Sequence, residues 1–204
     1  MGNCGGFASF PKGRFPDNNL VVFVAYRCEK LEALPSGIHI LSSLSIHDCP
    51  NIQLFEEGLA TKLAKLTISD RKQYKALMEL GWHNLTSLTD LYISGKRDGE
   101  TLHEEDMRIT LPRSLTWMSI EDFPNLKYLS FKDFECLPSL ENLQIWFCPE
   151  LTSLPSLPPS LLQLHVRGCP LLTEACKRDK GKEWSKIADI PRVELSSTLM
   201  TKRY

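Results

Sequence analysis

No run in this 204-residue sequence approaches the ~18 consecutive apolar residues that a membrane-spanning helix needs. Nor do the first residues carry the apolar core of a secretory leader. That points to a cytoplasmic, reducing setting in which thiols stay free. Charge of either sign is not in excess: 24 basic and 25 acidic residues leave a formal charge of −1, so no overall field favours nucleic acid or an anionic membrane. Signatures of chemistry are missing as well. There is no C-x-x-C pair, and the five histidines, at 39, 47, 83, 103 and 165, have no metal-ligand spacing. G-x-S-x-G, G-x-x-x-x-G-K-[ST] and G-x-G-x-x-G are all absent, and the glycines of Met1 to Gly6 do not lie between a strand and a helix. His47 and Asp70 can approach one another from neighbouring strands, but a solvated surface pair is the simpler reading. No catalytic residue, cofactor or metal is expected, and the chain does not read as an enzyme.

What the sequence does contain is one pattern, many times over. Leu140-x-x-Leu143-x-Ile145-x-x-Cys148-x-x-Leu151-x-x-Leu154-Pro155 is the clearest copy. Leu143 and Ile145, one residue apart, point to one face of a short strand, while Gln144 and Trp146 point to the other. Cys148 marks the inward turn, Leu151 and Leu154 bury the returning arm, and Pro155 stops regular structure. Matching units start at Leu20, Leu41, Leu63, Leu88, Leu115, Leu140 and Leu161. This is the leucine-rich repeat pattern. One unit cannot cover its own apolar face, so copies must stack. The expected fold is an α/β solenoid: a horseshoe of about seven repeats, with a parallel concave β-sheet and an irregular or short-helical convex side. Four of the seven cysteines, Cys28, Cys49, Cys148 and Cys169, hold the same place in the unit. Spread along a stack, they read as structural thiols and not as a zinc site.

In order, residues 1–19 are rich in Gly, Pro and Asn and read as irregular; 20–172 form the repeats; 173–195 form a C-terminal cap; and 196–204 are a frayed tail. Gly2 and Cys4 hint at dual acylation, although Gly6 stands where the acceptor pattern wants Ser or Thr. With no polar capping unit ahead of Leu20, the first repeat is expected to expose its apolar edge unless further chain once preceded it. Tyr74, Leu77, Met78 and Leu80 lie near helical spacing, with Gly81 at a helix end. The polar insertion between Lys96 and Asp106 reads as a surface loop, or less simply as a partner contact. In the cap, Trp184, Ile187 and Ile190 are placed to cover the last repeat. The basic cluster Lys177, Arg178, Lys180, Lys182 and Lys186 reads as a solvated surface, with a phosphate or acidic-partner site as the alternative.

A surface remains as the functional feature. Strand positions between the buried leucines face outward on the concave side, and they vary from unit to unit while the buried positions do not. Aromatic, His and Arg side chains, the types that concentrate binding energy at interfaces, occur there. The candidate partner-binding face comprises Tyr26, His47, Lys65, Tyr92, Trp117, Glu121, Trp146, His165 and Arg167. Tyr92, Trp117 and Trp146 are expected to form one aromatic patch, unless the protein's own loops or another domain cover them.

His47-Asp48-Cys49-Pro50-Asn51-Ile52, Phe147-Cys148-Pro149-Glu150-Leu151, Arg167-Gly168-Cys169-Pro170-Leu171 and Leu31-Glu32-Ala33-Leu34-Pro35-Ser36-Gly37 resemble repeats of plant intracellular immune receptors. The ending, from Gly168-Cys169-Pro170 to Trp184-Ser185-Lys186-Ile187-Ala188-Asp189-Ile190-Pro191, is similar to the C-terminal end of the coiled-coil class of nucleotide-binding, leucine-rich-repeat disease resistance proteins. The resemblance implies a cytosolic protein of plant defence. Its partner would be a pathogen effector, a guarded host protein or the receptor's own nucleotide-binding domain, with no nucleic acid, and no membrane unless Gly2 is acylated. The sequence departs from that family in having no coiled coil, phosphate-binding loop or nucleotide-binding domain. It therefore reads as a recognition and regulatory module without the switch. The alternatives are a stand-alone repeat scaffold, lipid-anchored or not, and a truncated receptor product. A ubiquitin-ligase substrate receptor would need an adaptor-binding domain, for which residues 1–19 are too short.

Overall fold

A computed structural model describes residue 6 and residues 8–10, 20–34, 40–53, 62–69, 73–74, 85–95 and 110–197. Among the described residues, eight strands stack in sequence order into one sheet: β1 (Val22–Tyr26), β2 (Ser43–His47), β3 (Lys65–Ile68), β4 (Asp90–Ser94), β5 (Trp117–Glu121), β6 (Asn142–Trp146), β7 (Gln163–Arg167) and β8 (Arg192–Ser196). Every neighbouring pair is parallel. The chain is a leucine-rich-repeat solenoid.

The alternation within each strand produces this stacking. Phe23, Leu44, Leu66, Leu91, Met118, Leu143, Leu164 and Val193 stand in register as one row. Ala25, Ile46, Ile68, Ile93, Ile120, Ile145, Val166 and Leu195 form a second row two residues along. Between β2 and β7 both rows are fully or almost fully buried. Each such Leu or Ile contributes about 1.5–3 kcal/mol relative to exposure. A one-residue slip of any strand would turn both rows out to water, so the register is fixed by burial.

After the strand the chain must turn into the core within one residue. It does so by visiting the left-handed region at Arg27, Asp48, Asp122, Phe147 and Gly168, with φ between 51° and 65°. The next residue then points inward: Cys28, Cys49, Phe123, Cys148 and Cys169 are each completely buried. Each of the four thiols lies within hydrogen-bonding reach of the carbonyl two residues before it, at 3.2–3.5 Å. Cys169 Sγ also accepts the Cys148 N–H at 3.3 Å. The turning residue itself is tied to the next rung, as in Arg27 N–H to His47 O (2.9 Å) and Phe147 N–H to Arg167 O (2.8 Å).

Unit three departs from this scheme. Where Cys49 stands in unit two it has Arg71, which lies outside the described residues. Tyr74 fills the position of Ile52 with 1% exposure, and the buried Gln73 donates Nε2–H to the Cys49 carbonyl at 3.0 Å. Ser69 Oγ accepts the Asp48 N–H at 3.0 Å, in place of the main-chain carbonyl used at the other turns. The helical spacing expected between Tyr74 and Leu80, the insertion around Lys96–Asp106, Gly2 with Cys4, and Asp70 as a partner for His47 all lie outside the described residues.

The C-terminal end differs from the sequence reading. Two short helices, α1 (Pro170–Ala175) and α2 (Trp184–Ile187), follow β7. The chain then forms β8, where a cap ending at 195 and a tail from 196 were expected. Ile190-x-x-Val193-x-Leu195 has the spacing of Leu140-x-x-Leu143-x-Ile145, and that spacing makes β8 an eighth rung. The expected apolar stripe does close the core: Ile187 is completely buried, and Trp184 and Ile190 pack beside it. A polar clip holds α2 down. Glu183, only 7% exposed, accepts the Leu154 N–H (3.0 Å) and Lys186 Nζ–H (2.7 Å), while Lys186 also donates to the Leu154 carbonyl (2.6 Å).

Candidate functional site

The outward residues of the eight strands form three columns across the concave face. The first is Val22, Ser43, Lys65, Asp90, Trp117, Asn142, Gln163 and Arg192; the second is Val24, Ser45, Thr67, Tyr92, Ser119, Gln144, His165 and Glu194. The third holds Tyr26 beside His47 at one end and Ser94, Glu121, Trp146, Arg167 and Ser196 at the other. Neighbours within a column are ~4.8 Å apart. All nine candidate residues therefore lie on one face, but as three groups.

The central group is Lys65, Asp90, Tyr92 and Trp117. Lys65 and Asp90 pair at 3.4 Å in the first column. Tyr92 and Trp117 have ring centroids 4.1 Å apart at 36°. Ser119, expected on the open face, is buried to 4% in the second column beside Tyr92. Burial pushes the Tyr92 hydroxyl above its ordinary pKa, Asp90 adds to that, and Lys65 opposes it.

The second group lies at the N-terminal end. The Tyr26 and His47 rings are 6.2 Å apart, and the Arg27 guanidinium sits 4.9 Å above the Tyr26 ring, a cation–π arrangement. Burial lowers the His47 pKa against the pull of Asp48 and Glu121, which leaves the imidazole neutral at pH 7.

The third group is Glu121, Trp146, Arg167 and His165. Trp146 lies between Glu121 and Arg167 in its column. His165 Nδ1 is 3.1 Å from Glu194 Oε2, and its Nε2 is 3.4 Å from Gln163 Oε1. Trp146, His165 and Arg167, with Glu194 and Ser196 of β8, line an open depression of about 710 Å³. Trp146 does not continue the Tyr92–Trp117 pair as expected. Trp117 is level with Asn142, four residues before Trp146 on β6, and at the strand rise that separates the two tryptophans by ~13 Å.

Glu194, Arg192 and Ser196 belong to this face and were missed, because their unit opens with Ile190 where the other seven open with Leu. The basic cluster is partly neutralised: Lys177 pairs with Glu174, Arg178 with Asp179 and Lys186 with Glu183. Among the described residues no group of three or more His, Cys, Asp or Glu side chains is arranged to hold a metal ion, and no helix is long and apolar enough to cross a membrane. What the face offers is separated aromatic and charged anchors on a rigid sheet, an arrangement suited to recognising another protein surface.

The protein named "Putative disease resistance protein At3g14460", from Arabidopsis thaliana, is 32% identical over 198 residues. The chain is similar to part of a plant disease resistance protein. That match takes in 94% of the chain but only 14% of the Arabidopsis protein, so the chain spans about a seventh of the length of this relative. No protein-family model and no solved structure matches it.

Proposed function

We propose that this chain is the recognition and regulatory repeat region of a plant immune receptor of the nucleotide-binding, leucine-rich-repeat class, acting in the cytoplasm. Its concave face takes a protein partner: a pathogen effector or a guarded host protein when the receptor senses, and the receptor's own nucleotide-binding domain when it is held inactive. Binding, not catalysis, is its work, and it needs no cofactor. The observation that carries this reading is the division of labour within each strand. The inward rows keep to Leu, Ile, Met and Val from β2 to β7, while the outward columns vary among polar, charged and aromatic residues and place Tyr92, Trp117, Trp146 and Arg167 on one concave surface. The Arabidopsis relative supplies the biological setting.

The test is affinity purification of the tagged chain from leaf extract, with and without pathogen challenge, beside a Trp117→Ala/Trp146→Ala/Arg167→Ala variant. The wild type is expected to retain a pathogen protein or a nucleotide-binding domain that the variant releases. Two or three lost anchors at about 2 kcal/mol each weaken binding by a hundredfold or more. Equal recovery with both chains would remove the concave face from the account.

A further inference from the structure

The C-terminal end of the concave face carries a cation without a counter-charge. Outward on β6, β7 and β8 stand two guanidinium groups, Arg167 and Arg192, and one carboxylate, Glu194. That carboxylate is engaged in the middle column, where Glu194 Oε2 lies 3.1 Å from His165 Nδ1. Arg167 stands one column away, and among the described residues no carboxylate is within ion-pair reach of its guanidinium. The acid in its own column is Glu121 on β5, with Trp146 between them. That separation is two strand spacings, ~9.6 Å. In the centre of the face, by contrast, Lys65 has Asp90 at 3.4 Å.

Arg167 is half-buried, so its charge has lost part of its water and gains most from a carboxylate brought from outside, which its planar fork can bind in two places. Trp146, also half-buried, stands beside it across the β6–β7 pair and supplies an apolar wall. The depression of about 710 Å³ that they line has room for more than one side chain, since sites for small ligands span ~300–1,000 Å³. Its floor is fixed: Leu143, Ile145, Leu164 and Val166, on the inward side of the same strands, are at most 1% exposed. Both anchors are therefore held in place before a partner arrives.

We infer that this depression is the anchor site for an acidic segment of the protein partner, with an Asp or Glu carboxylate on the Arg167 guanidinium and an adjoining apolar side chain against the Trp146 ring. The inference rests on the concave face being the partner surface, and it adds the chemistry that the partner presents there. Glu194, held on His165, repels a second carboxylate and confines the partner's acid to the Arg167 side. A basic segment would meet Arg167 and Arg192 with only the shared Glu194 to pair with, so it is disfavoured by like charge.

The test is selection of a random peptide library displayed on phage against the immobilised chain. Arg167→Glu and Glu194→Gln proteins, shown to be folded by unchanged urea midpoints, are run beside it. Sequences recovered on wild type are expected to place Asp or Glu next to Leu, Ile, Phe or Met. A synthetic copy of the most frequent sequence should bind Arg167→Glu about thirtyfold or more weaker than wild type. Replacing the acid of that peptide with Gln should cost a similar factor on wild type and nothing on Arg167→Glu, whereas Glu194→Gln should bind the acidic peptide at least as tightly as wild type. Recovery of Lys- or Arg-rich sequences, recovery of none, or equal binding to wild type and Arg167→Glu would overturn the inference. If such peptides are still released by Trp117→Ala/Trp146→Ala/Arg167→Ala, the concave face stands as the partner surface and only the acidic assignment falls. Peptides indifferent to that triple variant would count against both.

Discussion

Replacing Glu183 by alanine removes the carboxylate that clips α2 onto the arm of unit six. The carboxylate is 7% exposed and accepts two hydrogen bonds, from the Leu154 N–H at 3.0 Å and from Lys186 Nζ at 2.7 Å. Without it the Leu154 N–H is left in a buried site without an acceptor, at about 1–3 kcal/mol. The Lys186 side chain is 36% exposed and can turn to water, so losing its ion pair adds only about 0–1 kcal/mol. The expected destabilisation is about 1–4 kcal/mol by urea unfolding at pH 7, read as a lower midpoint at unchanged slope. Because units in a solenoid contact only their neighbours, the loss concentrates at the C-terminal end, and exchange quickens in α1, α2 and β8 before β2–β5. Glu183→Gln keeps an acceptor oxygen and should cost less than half as much. A Glu183→Ala protein within about 0.5 kcal/mol of wild type would refute the clip, since that is the range of an ordinary surface substitution.

Three further outcomes are expected. Gly95→Ala should lower stability by about 1–3 kcal/mol in the same assay, because the added Cβ would fall against the Asp122 carbonyl oxygen and 2.9 Å from Phe123 Cδ1; an unchanged midpoint would show that unit five gives way. Iodoacetamide at pH 8 should modify Cys136 and spare the five buried thiols among the six described cysteines until denaturant is added. The shared hydrogen bond with Cys169, and burial, hold Cys148 well above its ordinary pKa, and burial pushes Cys176 to about 11, so mass mapping that finds either labelled in the native protein would contradict the packing. His47 has a folded pKa below its unfolded value, so its contribution is fully present above pH ~6.5 and declines as pH falls from there through the folded pKa. His47→Gln should therefore lose less stability than wild type between pH 7 and pH 5, and parallel pH profiles would show that burial does not govern this imidazole.

The repeat pattern made most of the fold legible because one physical requirement, covering an apolar strip, recurs in every unit. Seven strands and all three outward columns could be read from the Leu-x-x-Leu-x-Ile spacing alone. What stayed hidden did so for identifiable reasons. β8 opens with Ile190, and its inward residues Val193 and Leu195 are only partly buried, so its signal was weak against seven leucine-led units. The separation of Trp146 from Trp117 was available in principle, since the two differ by four residues within their units. The burial of Ser119 was not legible, because it arises among neighbouring side chains on the concave face and not from the strand's own alternation.

The central claim is that one strand can hold the fold on one face and a partner on the other, and β6 tests it most directly. Leu143 is completely buried, and Leu143→Ala should cost about 2–5 kcal/mol of stability. Trp146, three residues on and facing the concave side, should change stability by no more than about 0.5 kcal/mol when replaced by alanine. Titration calorimetry of Trp146→Ala against a partner recovered from leaf extract is the decisive measurement. The account predicts a folded protein with affinity reduced about thirtyfold, the equivalent of 2 kcal/mol. A folded Trp146→Ala protein that binds as tightly as wild type would place recognition elsewhere than on this end of the concave face.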